Sequence, residues 1–471
     1  MTRTVPFRSA AEARRHVLPP LALAQFVCSF AGSNMNVMIS DISRDLDTTT
    51  HGVQVVITVF LLVMAALMIP GGRLADLHGR KRCLVAGLLV YGTGTLLSAL
   101  APGLGVLLLG YSLLEGVGTA LLIPPVYILT TLLFTEVASR ARAFGTIMAM
   151  AGCGAAAGPL LGGLIASALG WRAAFLFQTL LVVVIVVLAR RVPDPLPPDP
   201  ALSFDTRGAV LSALGLCLVV TGILATAQNA WAALALFCLG ALVLAWFLRS
   251  QRERERRGGQ PLLSTSLFRN RVSDLGLVTQ GTQWMMLMGV SFTAAAYLQV
   301  VRGYSSIGTG VVFTAATVGL LTTSLAAQRL ARRRPQRTLI MAGFAVTVAG
   351  IGVLLLTGGA RGAWAATPGL FLIGAGLGGM LTPSVNVVQS AFDESRQGEI
   401  SGLSRSVSNL GSSLGTAVAG TILVIGLDSR AYATALAATA LAGAVGFTAA
   451  ALLPRTPAPG GPPASQKSSA P

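Results

Sequence analysis

The sequence predicts an all-α membrane protein that crosses the bilayer about fourteen times, and three observations carry that expectation. Of 471 residues, 53% are hydrophobic and only 11% charged. A soluble chain carries roughly 25% charged residues, so there is too little charge here to cover a water-exposed surface. The apolar residues gather into runs of roughly 18–30 residues, long enough at about 1.5 Å rise per residue to span a hydrocarbon core about 30 Å thick. The basic residues, finally, are one-sided. With the N-terminus placed inside, only Arg44, Arg172, Arg302, Arg361 and Arg430 of the 34 Lys and Arg fall in outer loops. That is the positive-inside pattern, and it puts both termini on the cytoplasmic side of the cell membrane. A net charge of +17 would point to nucleic acid in a soluble protein; distributed this way, it orients a membrane protein, and no nucleic-acid partner is expected.

The predicted spans are 18–40, 52–71, 83–101, 104–133, 144–168, 173–190, 207–228, 231–249, 272–300, 307–328, 337–357, 366–391, 398–425 and 431–453. Residues 1–17 form a cytoplasmic tail, and the first span is too long for the apolar core of a signal peptide. Between the second and third spans, residues 71–82 read as a dense basic loop with turn glycines and a single acid, Asp76. The fourth span holds Glu115, about eleven residues or roughly 16 Å from its start, the deepest acid in the chain. Spans one to six make an N-terminal half, 18–190. The proline-rich stretch 191–206 cannot be helical, and the charged stretch 249–271 closes a second connection; together they bracket two inserted spans within 191–271. Six more spans make a C-terminal half, 272–453. Residues 454–471 are a low-complexity tail, expected to be disordered.

A weak repeat supports two related halves. Gly72-Arg-Leu-Ala-Asp-Leu-His-Gly-Arg-Lys81 follows the second span, and Gln328-Arg-Leu-Ala-Arg-Arg-Arg-Pro-Gln-Arg337 holds the same place in the C-terminal half. Arg332 stands for Asp76 and Pro335 for Gly79. The five cysteines and three histidines show no metal-ligand spacing, so neither a metal nor a cofactor is expected, and no nucleophile motif or nucleotide loop indicates an enzyme. The single chain is the expected working unit.

These residues lead to a family. Gly72-x-Leu74-x-Asp76-x-x-Gly79-Arg80-Lys81 resembles the signature loop of the major facilitator superfamily. The resemblance implies a cytoplasmic latch in which Asp76 pairs with a nearby cation, Arg140 and Arg142 being candidates. Gly154-Ala-Ala-Ala-Gly158-Pro159-Leu-Leu-Gly162-Gly163 resembles the antiporter motif of the same superfamily at every defined position. Glycines four apart present a smooth face to a neighbouring helix, and Pro159 bends its own. Gly170-Trp171-Arg172, Tyr297 to Tyr304, the run Gly402 to Gly415 and the inserted pair are similar to the fourteen-helix drug:proton antiporters. The implied fold is two six-helix halves plus two inserted helices, and the implied activity is export of amphipathic drugs, antibiotics or toxic metabolites in exchange for protons.

Two departures stand out. Ala31 occupies the place of the family's first-helix acid, and Ser112 that of a fourth-helix Arg. Glu115 is thereby the candidate for proton coupling. A charged acid at mid-bilayer costs about 2.5–3.5 kcal/mol on insertion scales, a cost removed by binding a proton or by facing a wet cavity; the alternative is a structural acid bonded to a neighbouring helix. Substrate-cavity candidates are Asn34, Asn36, Gln283, Trp284, Asn386 and Asn409, since buried amides need partners. Asp274 and Arg405 are expected to snorkel from helix ends. The departures also leave open a proton-independent facilitator or importer of a neutral metabolite.

Overall fold

The computed structural model describes residues 15–134, 137–194, 204–225, 229–259, 261–330, 334–358, 362–392, 397–426 and 428–454. Among them there is no strand, and fourteen long helices stand at the fourteen predicted places. In the first six are α1 (Leu18–Asn34), α2 (Thr50–His78), α3 (Arg80–Ala99), α4 (Leu104–Leu133), α5 (Val137–Leu169) and α6 (Trp171–Ala189). The inserted pair is α7 (Thr206–Ala225) and α8 (Ala230–Arg256). The last six are α9 (Arg271–Ala296), α10 (Ser306–Leu330), α11 (Gln336–Thr357), α12 (Thr367–Gln389), α13 (Gln397–Ile425) and α14 (Ser429–Ala451). By length and composition twelve of them can cross a membrane, and α5, whose arms meet at 40°, makes a thirteenth when counted as one span. The bend follows from Pro159, whose ring displaces the carbonyl four residues back, at Ala155.

Three elements depart from expectation. The first span does not run to residue 40: α1 ends at Asn34, a 3-10 turn covers Met35–Val37 and a short helix follows at Ile39–Asp45. Ser33, Asn34 and Asn36 lie at this break, and short polar side chains compete with helical hydrogen bonding. Residues 71–82 are not a loop. Helix α2 runs through Pro70 to His78, and one residue, Gly79 at φ +99°, turns the chain into α3. Only a glycine adopts that conformation without strain, so Gly79 makes the turn, while Gly72 lies within α2. Within α4, Leu108–Glu115 is π-helical, a widened form frequent at functional sites.

The packing of the last six helices repeats that of the first six. Helix α1 packs on α5 and α6, α2 on α4, and α3 on α4 and α6; correspondingly α9 packs on α13 and α14, α10 on α12, and α11 on α12 and α14. The halves meet along two matching seams, α5 against α10 and α2 against α13. The inserted pair packs together and lays α7 over the α2–α13 seam, where Thr421 donates to the Ile223 carbonyl at 3.3 Å. One buried apolar cluster runs through both halves. Outward-facing Trp231, Leu242, Trp246 and Leu356 are exposed, as befits surfaces that meet lipid in this multi-pass membrane protein. We call the end carrying His78, Arg80 and Lys81 the basic face and the opposite end the far face.

Candidate functional site

The antiporter-like motif serves two packing faces of α5. A Cβ on Gly154 would stand 2.3 Å from the Phe26 carbonyl oxygen, and one on Gly158 would collide with Ser33 Oγ. Gly162 faces Asn34. Spaced four apart, these glycines let α1 and α5 approach backbone to backbone. Gly163 and Pro159 face the other half instead: Gly163 lies against the Ser306 carbonyl, and the Pro159 carbonyl against Gly310. The motif thus sets two close contacts, one inside the half and one across the seam.

Hydrogen bonds fasten the halves at the far face. Gln299 Oε1 accepts from the Ser40 amide at 3.0 Å and its Nε2 donates to the Asn36 carbonyl at 2.9 Å. Ser306 Oγ donates to Asp41, and the Ile307 amide to Ser167 Oγ at 3.1 Å. Along the other seam Gln54 donates to the Ala417 carbonyl, Ser413 to that of Thr58 and Ser406 to that of Ala65.

Among the described residues, two voids of about 60 Å³ each lie between the seams, both touching Ala155 and Met288. The first is walled by α1, α2, α4, α5, α9 and α13, through side chains such as Gln25, Phe60, Met64, Trp284, Arg405 and Asn409. The second takes Ser33, Asn36, Ser291 and Thr317 among apolar side chains. Sites for drug-sized ligands occupy about 300–1,000 Å³, so such a ligand enters only when the halves part.

The structure places the predicted cavity residues unevenly. Trp284 and Asn409 line the first void and Asn36 the second. Asn34 is fully buried at the α1–α5 contact with neither amide atom partnered. Gln283 is buried and donates to the Leu377 carbonyl at 3.3 Å. Asn386 is exposed on α12 and lines neither void.

Arg405 does not snorkel. It sits two turns inside α13 on the wall of the first void, where it donates to the Tyr127 hydroxyl with its Cζ 5.0 Å from that ring's centre. The hydroxyl in turn donates to Gln25 Oε1 at 3.1 Å. The pairing of α4 with α13 that makes this contact has no counterpart in local sequence.

Glu115 is 0% exposed and belongs to the layer behind that wall. Helical side chains lean toward their N-terminus, and this one leans to Ser98 near the far end of α3, where Ser98 Oγ lies 3.5 Å from Oε1. Oε2 has no partner. Tyr91 stands beside it, bonded to Gln178 Oε1 at 2.6 Å. Toward the cavity, Thr119 Oγ1 donates to the Glu115 carbonyl at 2.7 Å and accepts from Cys28 Sγ at 3.8 Å; Cys28 lines the first void. Ser112, in the place of the family's Arg, donates to the Val56 carbonyl at 2.6 Å.

At the basic face Asp76 pairs with Arg80 at 2.8 Å. Lys81 Nζ donates to the Arg190 carbonyl at 2.8 Å, and its amide to Asp194 at 3.1 Å. The segment 71–82 is therefore tied to the end of α6 in its own half. The side chains of Arg140 and Arg142, named above as partners for Asp76, lie outside the described residues, as do residues 331–333 of the second repeat copy.

The sequence profile of the Major Facilitator Superfamily matches residues 21–215 and 201–416. The puromycin resistance protein of Streptomyces alboniger is 31% identical over 406 residues, covering 85% of this chain and 80% of its own length. The probable actinorhodin transporter of Streptomyces coelicolor is 30% identical over 86% of this chain and 71% of its own. A multidrug resistance protein of Mycobacterium tuberculosis is 27% identical over 84% and 73%. Among solved structures, a peptide transporter in complex with alafosfalin superposes with a TM-score of 0.68 at 16% identity, over 93% of this chain and 94% of that one.

Proposed function

The chain belongs to the major facilitator superfamily and is a transporter, not an enzyme, and on that premise we propose that it exports amphipathic organic compounds across the cell membrane in exchange for protons. The carrying observation is a cavity walled from both halves and, at about 60 Å³, too small as it stands for a drug-sized ligand. Relatives named for puromycin resistance, actinorhodin transport and multidrug resistance support drugs or antibiotics as cargo.

In this reading the halves rock about the cavity as single-chain units. The basic face is cytoplasmic, and the Asp76–Arg80 segment with Gly72, Gly79 and Lys81 acts as the latch there. The Gly154–Gly163 stretch is the sliding contact, with its bend at Pro159. Glu115 carries the proton: Oε2 is unpartnered, and hydrogen bonds through Thr119 and Cys28 link its backbone carbonyl to the cavity wall. A proton taken up there and an organic molecule bound at the wall alternate in stabilising the two arrangements.

Everted vesicles acidified inside test this: they accumulate a fluorescent drug, and an uncoupler collapses the gradient. Flux indifferent to the uncoupler overturns the exchange and favours the facilitator, which Ala31 and Ser112 motivate.

A further inference from the structure

We propose that the central cavity selects amphipathic aromatic anions, compounds bearing a carboxylate, sulfonate or phenolate on a planar ring system, with Arg405 as their counter-charge. This rests on the export reading and sharpens it by naming the sign of the cargo.

The charge on the wall is the first ground. Among the described residues lining the two voids there is one cation, Arg405, and no carboxylate. Glu115 stands behind the wall and leans toward Ser98, and Asp41 is engaged by Ser306 at the far face. A lipophilic cation entering the first void meets a like charge and no acid to replace its hydration. An anion meets a guanidinium, whose planar fork matches a carboxylate or sulfonate with two parallel hydrogen bonds.

The guanidinium is also positioned. Tyr127 accepts one of its N–H groups and offers its ring face, and Gln25 holds the Tyr127 hydroxyl. A neutral phenol orients a guanidinium without cancelling its charge.

Further donors share the same stripe. Arg405, Asn409 and Ser412 are spaced i, i+4 and i+7 on α13, a single helix face, and all three line the void. Asn409 Nδ2 is buried with no partner, a donor set beside the cation. On the flanking helices α2 and α9, Phe60, Trp284, Met64 and Met288 supply aromatic and polarizable apolar surface, which suits a flat ring and adapts to its outline. The acceptor end of the ligand lies against α13, and the ring end against α2 and α9.

Fluorescein and rhodamine 123 test the assignment, since they share a tricyclic skeleton and carry opposite charge at alkaline pH. Binding to the full-length protein in nanodiscs is read by fluorescence anisotropy. The wild type binds fluorescein about tenfold or more tighter than rhodamine 123, and Arg405→Gln lowers that ratio by about tenfold, the scale of one charge-assisted hydrogen-bonded pair. Arg405→Lys keeps part of the ratio, as a point charge without the fork. Equal or tighter binding of rhodamine 123 by the wild type overturns the assignment, whether or not the variants fold; so does a ratio indifferent to Arg405→Gln in protein that melts like the wild type. The same dyes in proteoliposomes separate this claim from its premise. If rhodamine 123 is moved and fluorescein is not, export stands and the anion assignment falls. If neither dye is bound or moved, both fall. Fluorescein moved in preference supports both.

Discussion

Glu115 and Arg405 are two ionisable groups inside the same oily scaffold, and they are housed in opposite ways. Glu115 is sealed between α3 and α4 of one half, fully buried, with Ser98 and Tyr91 beside it and one oxygen unpartnered. Arg405 stands on the cavity wall and reaches across the seam to Tyr127 of the other half. A group sealed in one half changes its charge only by gaining or losing a proton. A group on the wall can be neutralised by something that comes and goes. In the exchanger proposed above, this difference divides the labour: the proton is assigned behind the wall and the organic ion in front of it.

The largest consequence is electrical. An anion exported for one proton moves two elementary charges inward per cycle, whereas a cation exported for one proton moves none. Each charge is worth about 2.3 kcal/mol per 100 mV. At that potential the anion gradient gains about 4.6 kcal/mol, on the order of a thousandfold at the limit. With internal and external pH equal and a potassium-valinomycin potential imposed, proteoliposomes drive fluorescein and leave rhodamine 123 undriven. A potential that moves both dyes alike breaks the division.

A smaller effect tests the sealed acid. Glu115→Gln preserves the shape and a hydrogen-bonding group for Ser98 but cannot carry a proton. Proton-driven accumulation in vesicles falls by about a hundredfold or more, the range in which a positioned proton-transfer group acts, while dye binding to the purified variant persists. Normal proton-driven uptake removes Glu115 from the exchange and leaves it a structural acid between α3 and α4. Loss of binding together with uptake erases the distinction between the two sites.

Much of this was legible before the fold was known. All fourteen helices follow from apolar runs of bilayer length, and the role of Gly154, Gly158 and Gly162 follows from their spacing, because only backbone contact requires glycine every fourth residue. Glu115 stands out in the sequence by its isolation as a deep acid, and the structure buries it fully. Arg405 was not found: eight residues into α13 it lies within snorkelling reach of the helix end, and its partner Tyr127 is 278 positions away. Along α12, which is largely apolar on every side, periodicity does not tell the lipid face from the cavity face, and this hid the exposure of Asn386. The span 71–82 read as a loop because glycine and charge crowd there, yet α2 tolerates Pro70 and Gly72 inside the protein and only Gly79 leaves helical geometry.

The weakest expected effect comes from an ion pair with neither kind of housing. Asp45 accepts from Arg172 and from Trp171 Nε1 at 3.1 Å, and Arg172 also donates to the Ala101 carbonyl at 2.9 Å. The pair joins the short Ile39–Asp45 helix to the start of α6 and to the turn before α4. Hydrogen bonding to Arg172, and less strongly to Trp171, holds the Asp45 carboxyl below its ordinary value near 3.8. Its folded form therefore binds the proton less readily than its unfolded form, and the pair stabilises the fold above that ordinary value. The contribution declines as pH falls below it and is gone once pH has passed the depressed value. Side chains 39% and 46% exposed are screened by water, so the whole effect is about 0.2–1 kcal/mol, or at most about 1–2 °C in a chain of this size. Asp45→Asn melts lower than the wild type by that amount at neutral pH, and the two converge on acidification below about 3.8. A gap that widens in acid would show that Asp45 stabilises by some other contact. A gap of several degrees at neutral pH would show that the pair is shielded from water, and an exposed pair would then no longer set the scale against which Glu115 and Arg405 count as buried.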